Sequence, residues 1–504
     1  MTTALYGRLA ARFPAPDTRF IETADGQVTT YGDLDRETAK LANALVGLGV
    51  KPGDRVAVQV EKSARALFLY LACARAGAAY LPLNTAYTLA ELAYFIGDAE
   101  PAVVVCRPAS RDAVAALPEA AKVLSVETLD ADGSGSIADR AAAERDSFAD
   151  IPRAADDLAA ILYTSGTTGR SKGAMLTQEN LWSNAEVLVD YWRFTGEDVL
   201  IHALPIYHTH GLFVATNTIL AAGGSMIFLP KFDAREVLSL MPRATTMMGV
   251  PTFYTRLIDT PGLDREATRR MRLFVSGSAP LLAETHRAFE EKTGHRILER
   301  YGMTETNMNT SNPYDGERRA GTVGFPLPAV SVRIADPETG RELPRGEIGV
   351  IEVKGPNVFK GYWRMPEKTA SEFRPDGFFI TGDVATIDQD GYVTIVGRAK
   401  DLIISGGFNV YPKEVEGEID EMAGVVESAV VGLPHKDFGE GVTAVVVLEK
   451  GASLDEAAVI GALKQRLAAY KLPKRLFFVD ELPLNTLGKV QKNVLRDTYA
   501  KTYG

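Results

Sequence analysis

The sequence predicts an α/β protein, with a large N-terminal domain of helix-covered, largely parallel sheets and a small C-terminal α+β domain. Two observations carry this expectation. Strand-like and helix-like segments alternate over most of the chain, and that rhythm breaks near residues 397–401. The length of 504 residues agrees, because it exceeds what one hydrophobic core usually organises. Residues 34–48 carry apolar side chains at helical spacing up to Gly49, and a Lys-Pro-Gly-Asp turn leads into a strand over 55–60. A helix over 64–76 stops at Gly77 before a strand over 79–83, and the pattern returns in strands at 102–106, 226–229 and 273–275. DADGSGSI at 130–137 reads as a solvated loop. The strand 392–396 runs into GRAKD at 397–401, which divides the chain into 1–397 and 398–504. The second part is long enough for its own domain, with strands over 428–431 and 443–448 and an amphipathic helix over 459–472.

Composition excludes several classes. An apolar share of 46% with 24% charged residues is that of a soluble globular protein. The net charge of −10 argues against nucleic acid or an anionic membrane as partner. Cys73 and Cys106 lie in apolar surroundings without metal or disulfide spacing and read as buried small hydrophobes. The opening MTTALYGRLAARF forms one amphipathic turn without the apolar stretch of a signal peptide. No apolar run approaches the ~18 residues needed to cross a bilayer. A cytoplasmic protein, monomeric or weakly homo-oligomeric, is expected.

The strongest local signal is YTSGTTGRSKG at 163–173, directly after an apolar strand over 158–162. Glycines let backbone N–H groups approach an anion, the hydroxyls of Thr164, Ser165, Thr167 and Thr168 add donors, and Lys172 adds a charge. The spacing is not that of a Walker A loop, since Gly166 and Gly169 are too close and Lys172 precedes Gly173.

This loop resembles the phosphate loop of the adenylate-forming superfamily, which includes acyl-CoA synthetases, luciferases and peptide-synthetase adenylation domains. Further segments match in order: YGMTE at 301–305, Tyr362-Trp363, TGD at 381–383, GRAKD at 397–401 and NTLGK at 485–489. The resemblance implies ATP, Mg²⁺ and coenzyme A as small-molecule ligands. It implies that Glu305 holds Mg²⁺ while Thr304 donates to a phosphate oxygen. Asp383, expected in a loop after the run 378–380, would hold the ribose with Arg398 beside it. A turn aspartate capping its own backbone is the plainer reading of Gly-Asp. Ser278, Ala279 and Pro280 would wall the adenine, with Glu299, Tyr301 and Gly302 facing the same nucleotide. Lys489 would neutralise charge as carboxylate and α-phosphate join. Lys400 would be the hinge of a mobile C-terminal lid. Ser405, Gly406 and Gly407 would line the pantetheine tunnel.

Two features address the acid. His208, in HTHG after a strand-like run over 200–206, either donates to a carboxylate or simply packs. GVPTFYTR at 249–256 opens a helix with Arg256 at the edge of its apolar stripe. A dicarboxylate needs a fixed cation for its unreactive end, because an unpaired buried charge is costly. Arg256 with Ser278 is the expected clamp, and Arg287 is a second candidate. The strings IHALPIYHTHGLF, ERYGMTETNMNTSNPYDG and GPNVFKGYWRMPEKT resemble the malonyl- and methylmalonyl-CoA synthetases. That resemblance implies malonate as substrate, with Thr209 and Met308 bordering its C2 position. Ligation of oxalate or a short monocarboxylate is the nearest alternative. A phosphate-loop NTPase and a non-catalytic nucleotide-binding protein are the remaining readings, against which the missing Walker A and the set Lys489, Glu305 and Asp383 count.

Overall fold

Alternating strands and helices build two large sheets with helices packed between and around them. The computed structural model describes residues 4–164, 171–405, 408–467, 469–485 and 488–503. A seven-stranded sheet runs Gly361–Tyr362, Lys172–Thr177, Leu158–Thr164, Ala79–Pro82, Arg55–Gln59, Val103–Cys106, Ser125–Thr128. From Leu158–Thr164 to Ser125–Thr128 all its pairings are parallel. A nine-stranded sheet has a parallel centre built from Leu298–Met303, Leu273–Ser276, Thr246–Gly249, Val199–His202, Ser225–Phe228 and Arg19–Thr23. The helix Ala64–Arg75 is buried along nearly its whole length, as expected of a helix apolar on every side. Its Leu67, Leu69 and Leu71 share one core with Val56 and Leu162 of the first sheet and Leu200 and Met226 of the second. Side-chain caps start these helices: Ser63 accepts from the Ala66 N–H, and Thr177 with Asn180 forms a reciprocal box before Gln178–Tyr191. Cys73 and Cys106 are both buried.

Several local expectations change. A four-stranded sheet, Ser331–Ala335, Gly349–Lys354, Phe379–Ile387 and Val393–Arg398, is wholly antiparallel. Between Gly349–Lys354 and Phe379–Ile387 the chain crosses to the seven-stranded sheet as Gly361–Tyr362 and returns through the short helix Pro366–Ser371. Asp383 lies inside a strand rather than a loop, directly opposite Arg398. The strand expected over 200–206 is Val199–His202, since Pro205 has no N–H for the ladder. The helix expected over 459–472 is only Glu456–Leu463. Leu467 and Tyr470 still pack on the same core from a turn and a 3₁₀ segment, so two short pieces use the apolar spacing read as one helix. Ile403–Ser405, Phe408–Val410, Val425–His435, Gly439–Leu448 and Arg475–Val479 form a separate five-stranded sheet with its own core. No helix among the described residues is long and apolar enough to cross a membrane.

Candidate active site

The edge of the seven-stranded sheet sets the nucleotide end. Thr164 closes the strand Leu158–Thr164, and Lys172, paired opposite it, opens the return strand. Ser165, Gly166, Thr167, Thr168 and Gly169 lie outside the described residues. Glu305 is buried in the turn after Leu298–Met303, with Thr304 beside it. Its Oε1 accepts from the Tyr362 hydroxyl at 3.0 Å and from Thr164 Oγ1 at 3.5 Å. Burial pushes the Glu305 carboxyl up, opposed by its own backbone N–H, Tyr362 and Lys172. Tyr362 also donates to Glu372 Oε2 at 2.7 Å, and Glu372 Oε1 holds Lys172 Nζ at 3.3 Å. The ammonium of Lys172 thus sits over the Tyr362 ring, 4.2 Å from its centroid, beside the carboxylate expected to carry the metal.

Cross-strand pairing builds a carboxylate clamp of the kind that holds a ribose. Asp383 Oδ1 lies 3.0 Å from Arg398 Nε, and its Oδ2 accepts from the Tyr301 hydroxyl at 2.6 Å. The loop after Leu273–Ser276 carries Ser278 at φ 72°, Ala279 and Pro280. A serine held in the left-handed region is local strain that the surrounding structure must enforce. Glu299 enforces part of it, since its Oε1 accepts from the Leu281 N–H at 3.0 Å. Burial raises the Glu299 carboxyl to about 8, so it is mostly protonated at neutral pH. Gly302 pairs with Met308 across the hairpin that follows, and Asn184 grips both backbone groups of Met308.

The candidate cations for the acid differ in burial. Arg256, on the helix Pro251–Ile258, and Arg287, on Ala283–Thr293, are both exposed. The guanidinium that reaches the interior is Arg300, which sequence reasoning missed. It is buried on the strand Leu298–Met303, and its Nε and Nη2 have no hydrogen-bond partner among the described residues. Burial lowers its pKa to about 9. Gly277 makes the close approach possible, because a Cβ there would stand 2.5 Å from Arg300 Cζ. Ser278 Oγ lies 3.3 Å from His210 Nδ1, His210 feels the charge of Arg300, and His210 Nε2 and Thr209 Oγ1 are buried without partners among the described residues. Burial, then Lys489 and Arg300, hold His208 neutral with a pKa of about 3. The sequence signal for Arg300 was a charged residue inside an otherwise buried strand next to YGMTE, with a glycine on the neighbouring strand's exit.

Lys489 comes to this site from the C-terminal segment. A Cβ on its neighbour Gly488 would lie 3.2 Å from Thr252 Cγ2, so the loop rests on the start of Pro251–Ile258. Burial and the charge of Arg398 lower the Lys489 ammonium to about 8, opposed by Asp383 and Glu305. Lys400 is exposed in the 3₁₀ turn Ala399–Asp401. Ser405 is buried in the five-stranded sheet, and Gly406 and Gly407 lie outside the described residues.

The arrangement joins a buried carboxylate, two lysines, a cross-strand aspartate–arginine pair and a buried guanidinium. An "AMP-binding enzyme" family model matches residues 8–363, and the "AMP-binding enzyme C-terminal domain" model matches 414–489. MatB from Rhodopseudomonas palustris is 65% identical over 100% of both chains, with a TM-score of 0.98 in its ATP-bound form and 0.88 in its apo form. A feruloyl-CoA synthase from Amycolatopsis sp is 39% identical, covering 94% of this chain and 94% of its own length. A malonate–CoA ligase from Arabidopsis thaliana is 34% identical, covering 94% of this chain and 85% of its own. This chain belongs to the AMP-binding, adenylate-forming family of acid–thiol ligases.

Proposed function

We propose that the protein is a malonate–CoA ligase, converting ATP, malonate and coenzyme A into AMP, diphosphate and malonyl-CoA through a malonyl-adenylate. The observation that carries the acid assignment is the buried Arg300 guanidinium, with two nitrogens unpartnered among the described residues, against Gly277 and electrostatically coupled to His210. A carboxylate facing it satisfies both donors and supplies the missing counter-charge. The malonate–CoA ligase among the relatives supports the same reading. A monocarboxylic acid would leave Arg300 buried and uncompensated. Methylmalonate is a second expected substrate, with Thr209 and Met308 bordering C2.

In the first step a malonate oxygen attacks the α-phosphorus, the bond to the bridging oxygen breaks, and diphosphate leaves. Asp383, Arg398 and Tyr301 hold the ribose, the Ser278–Ala279–Pro280 loop flanks the adenine, and Lys172 releases Glu372 to meet the phosphates. Lys489 bridges the reacting carboxylate and α-phosphate, where charge accumulates. Glu305 suits Mg²⁺: it is a buried hard-oxygen donor, and among the described residues no group of three or more His, Cys, Asp or Glu side chains forms a cage of its own. That donor set matches an ion shared between one carboxylate and nucleotide phosphates, whose charge it would neutralise. In the second step the 398–504 domain turns about Lys400, withdraws Lys489, and brings the segment from Ser405 to Gly407 against the pantetheine chain. The coenzyme A thiolate attacks the acyl carbon, the carbon–oxygen bond to AMP breaks, and AMP leaves.

The test is diphosphate release with Mg·ATP across malonate, methylmalonate, succinate, oxalate, acetate and octanoate, with and without coenzyme A. Malonate-dependent release with malonyl-CoA as product is expected. A preference for acetate or octanoate over malonate overturns the acid assignment.

A further inference from the structure

A second buried polar group lies behind the acid pocket and takes no part in the steps above. Lys62, in the loop between Arg55–Gln59 and Ala64–Arg75, donates from Nζ to His202 Nδ1 at 2.9 Å and to the His202 carbonyl at 2.7 Å. Lys62 Nζ also lies 4.2 Å from the Phe228 ring centroid, and burial pulls its pKa well below the usual lysine range. On the other side of the imidazole, His202 Nε2 is 2.9 Å from the Gly211 carbonyl. That carbonyl can only accept, so Nε2 carries the proton and Nδ1 is the acceptor for Lys62. Burial, then the neighbouring Lys62, keep the imidazole neutral, which is consistent with this tautomer. Thr216 Oγ1 donates to the same Gly211 carbonyl at 3.0 Å.

Gly211 belongs to the π-helical segment His210–Ala215, a wide turn of a type concentrated at functional sites. The segment is wedged in place, since a Cβ on Gly211 would meet the Pro205 carbonyl oxygen at 2.1 Å. Thr209 and His210, at its entrance, each carry a buried polar atom without a partner among the described residues, and His210 feels the charge of Arg300. Lys62 follows a strand of the seven-stranded sheet, whereas His202 ends a strand of the nine-stranded sheet. The chain Lys62–His202–Gly211 is therefore a strut from one sheet to the other, ending on the turn that shapes the acid pocket.

We propose that Lys62 and His202 are positioning residues for acid selection, holding the turn at Gly211 so that Thr209 and His210 limit the space beside the substrate's C2. The proposal rests on the assignment of Thr209 and His210 to the acid pocket. Without the strut the turn relaxes, malonate is held less well, and bulkier diacids are excluded less strictly.

The experiment measures kcat and KM for malonate, methylmalonate and ATP in the full-length enzyme, wild type beside Lys62→Met and His202→Gln. Lys62→Met removes two donated hydrogen bonds to a largely buried group, so the malonate KM should rise about tenfold while the ATP KM stays within about twofold. The methylmalonate-to-malonate ratio of kcat/KM should rise by about fivefold or more. His202→Gln retains one donor and one acceptor at the same reach, and should stay within about threefold of wild type. If Lys62→Met does not fold, Thr216→Val decides, because it removes only the second bond to Gly211 and should shift the ratio in the same direction. Parallel changes in malonate and ATP KM, or an unchanged acid ratio, overturn the proposal. Wild-type enzyme that ignores malonate overturns the acid assignment instead, and that outcome is read before any variant is compared.

Discussion

Replacing Arg300 by methionine separates the acid reading from a structural role for the same residue. The guanidinium is buried, with Nε and Nη2 unpartnered, and its pKa is lowered by burial. In the free protein it is a cost, not a support, so Arg300→Met should leave the melting temperature unchanged or raise it. With malonate bound, the same change strips a buried carboxylate of its counter-ion. Removing one member of a buried pair costs about 3–5 kcal/mol. At about 1.4 kcal/mol per factor of ten, kcat/KM for malonate should fall by roughly two to four powers of ten. The ATP KM should change little, because the proposed ribose clamp of Asp383, Arg398 and Tyr301 is tied together without Arg300. The assay is continuous diphosphate release at saturating Mg·ATP, paired with calorimetric melting of the ligand-free protein. A fall in malonate kcat/KM of less than about threefold would refute the reasoning, since a buried charge pair cannot be worth so little. So would a large drop in melting temperature accompanied by equal losses for malonate and ATP, which marks a packing role.

Lys489→Ala should abolish malonyl-adenylate formation yet spare thioester formation from preformed malonyl-adenylate; equal loss in both half-reactions sinks the bridging role. The lowered pKa of Lys489, about 8, means the ammonium is lost as pH rises through that value. Adenylation kcat/KM for ATP should therefore decline above about pH 8, and Lys489→Arg should move that limb to higher pH. A limb that does not move assigns it to another group. Tyr301→Phe removes a hydrogen bond to the Asp383 carboxylate, which at about 1.5–3 kcal/mol should raise the ATP KM by about tenfold or more and leave the malonate KM alone. An ATP KM that stays put would show that Arg398 orients Asp383 unaided.

The fold was legible wherever local chemistry suffices. Apolar periodicity placed the helix now seen as Ala64–Arg75 and the strands Arg55–Gln59 and Ala79–Pro82, and Gly49 and Gly77 marked the stops. Side-chain spacing alone says which residues face a core, because the strand and helix periods are set by the backbone. Motif order also marked Glu305, Asp383, Arg398 and Lys489, four positions scattered along the chain, as candidate nucleotide residues. It did not place Asp383 in a strand, because the register that sets it against Arg398 is a property of the antiparallel pair.

The acid pocket shows where sequence stops. Arg256 carries the clamp expectation through its place on an amphipathic helix, and the structure leaves it exposed. Arg300 sits between Glu299 and Tyr301, which the motifs assign to the nucleotide, and it becomes a candidate only because Gly277 clears space beside it and His210 feels its charge. The sequence by itself determined most of the secondary elements, the reaction family and the candidate nucleotide residues, since these follow from periodicity and contiguous motifs. Tertiary structure alone decided which cation is buried without a partner, because burial and counter-charge are sums over residues distant in the chain.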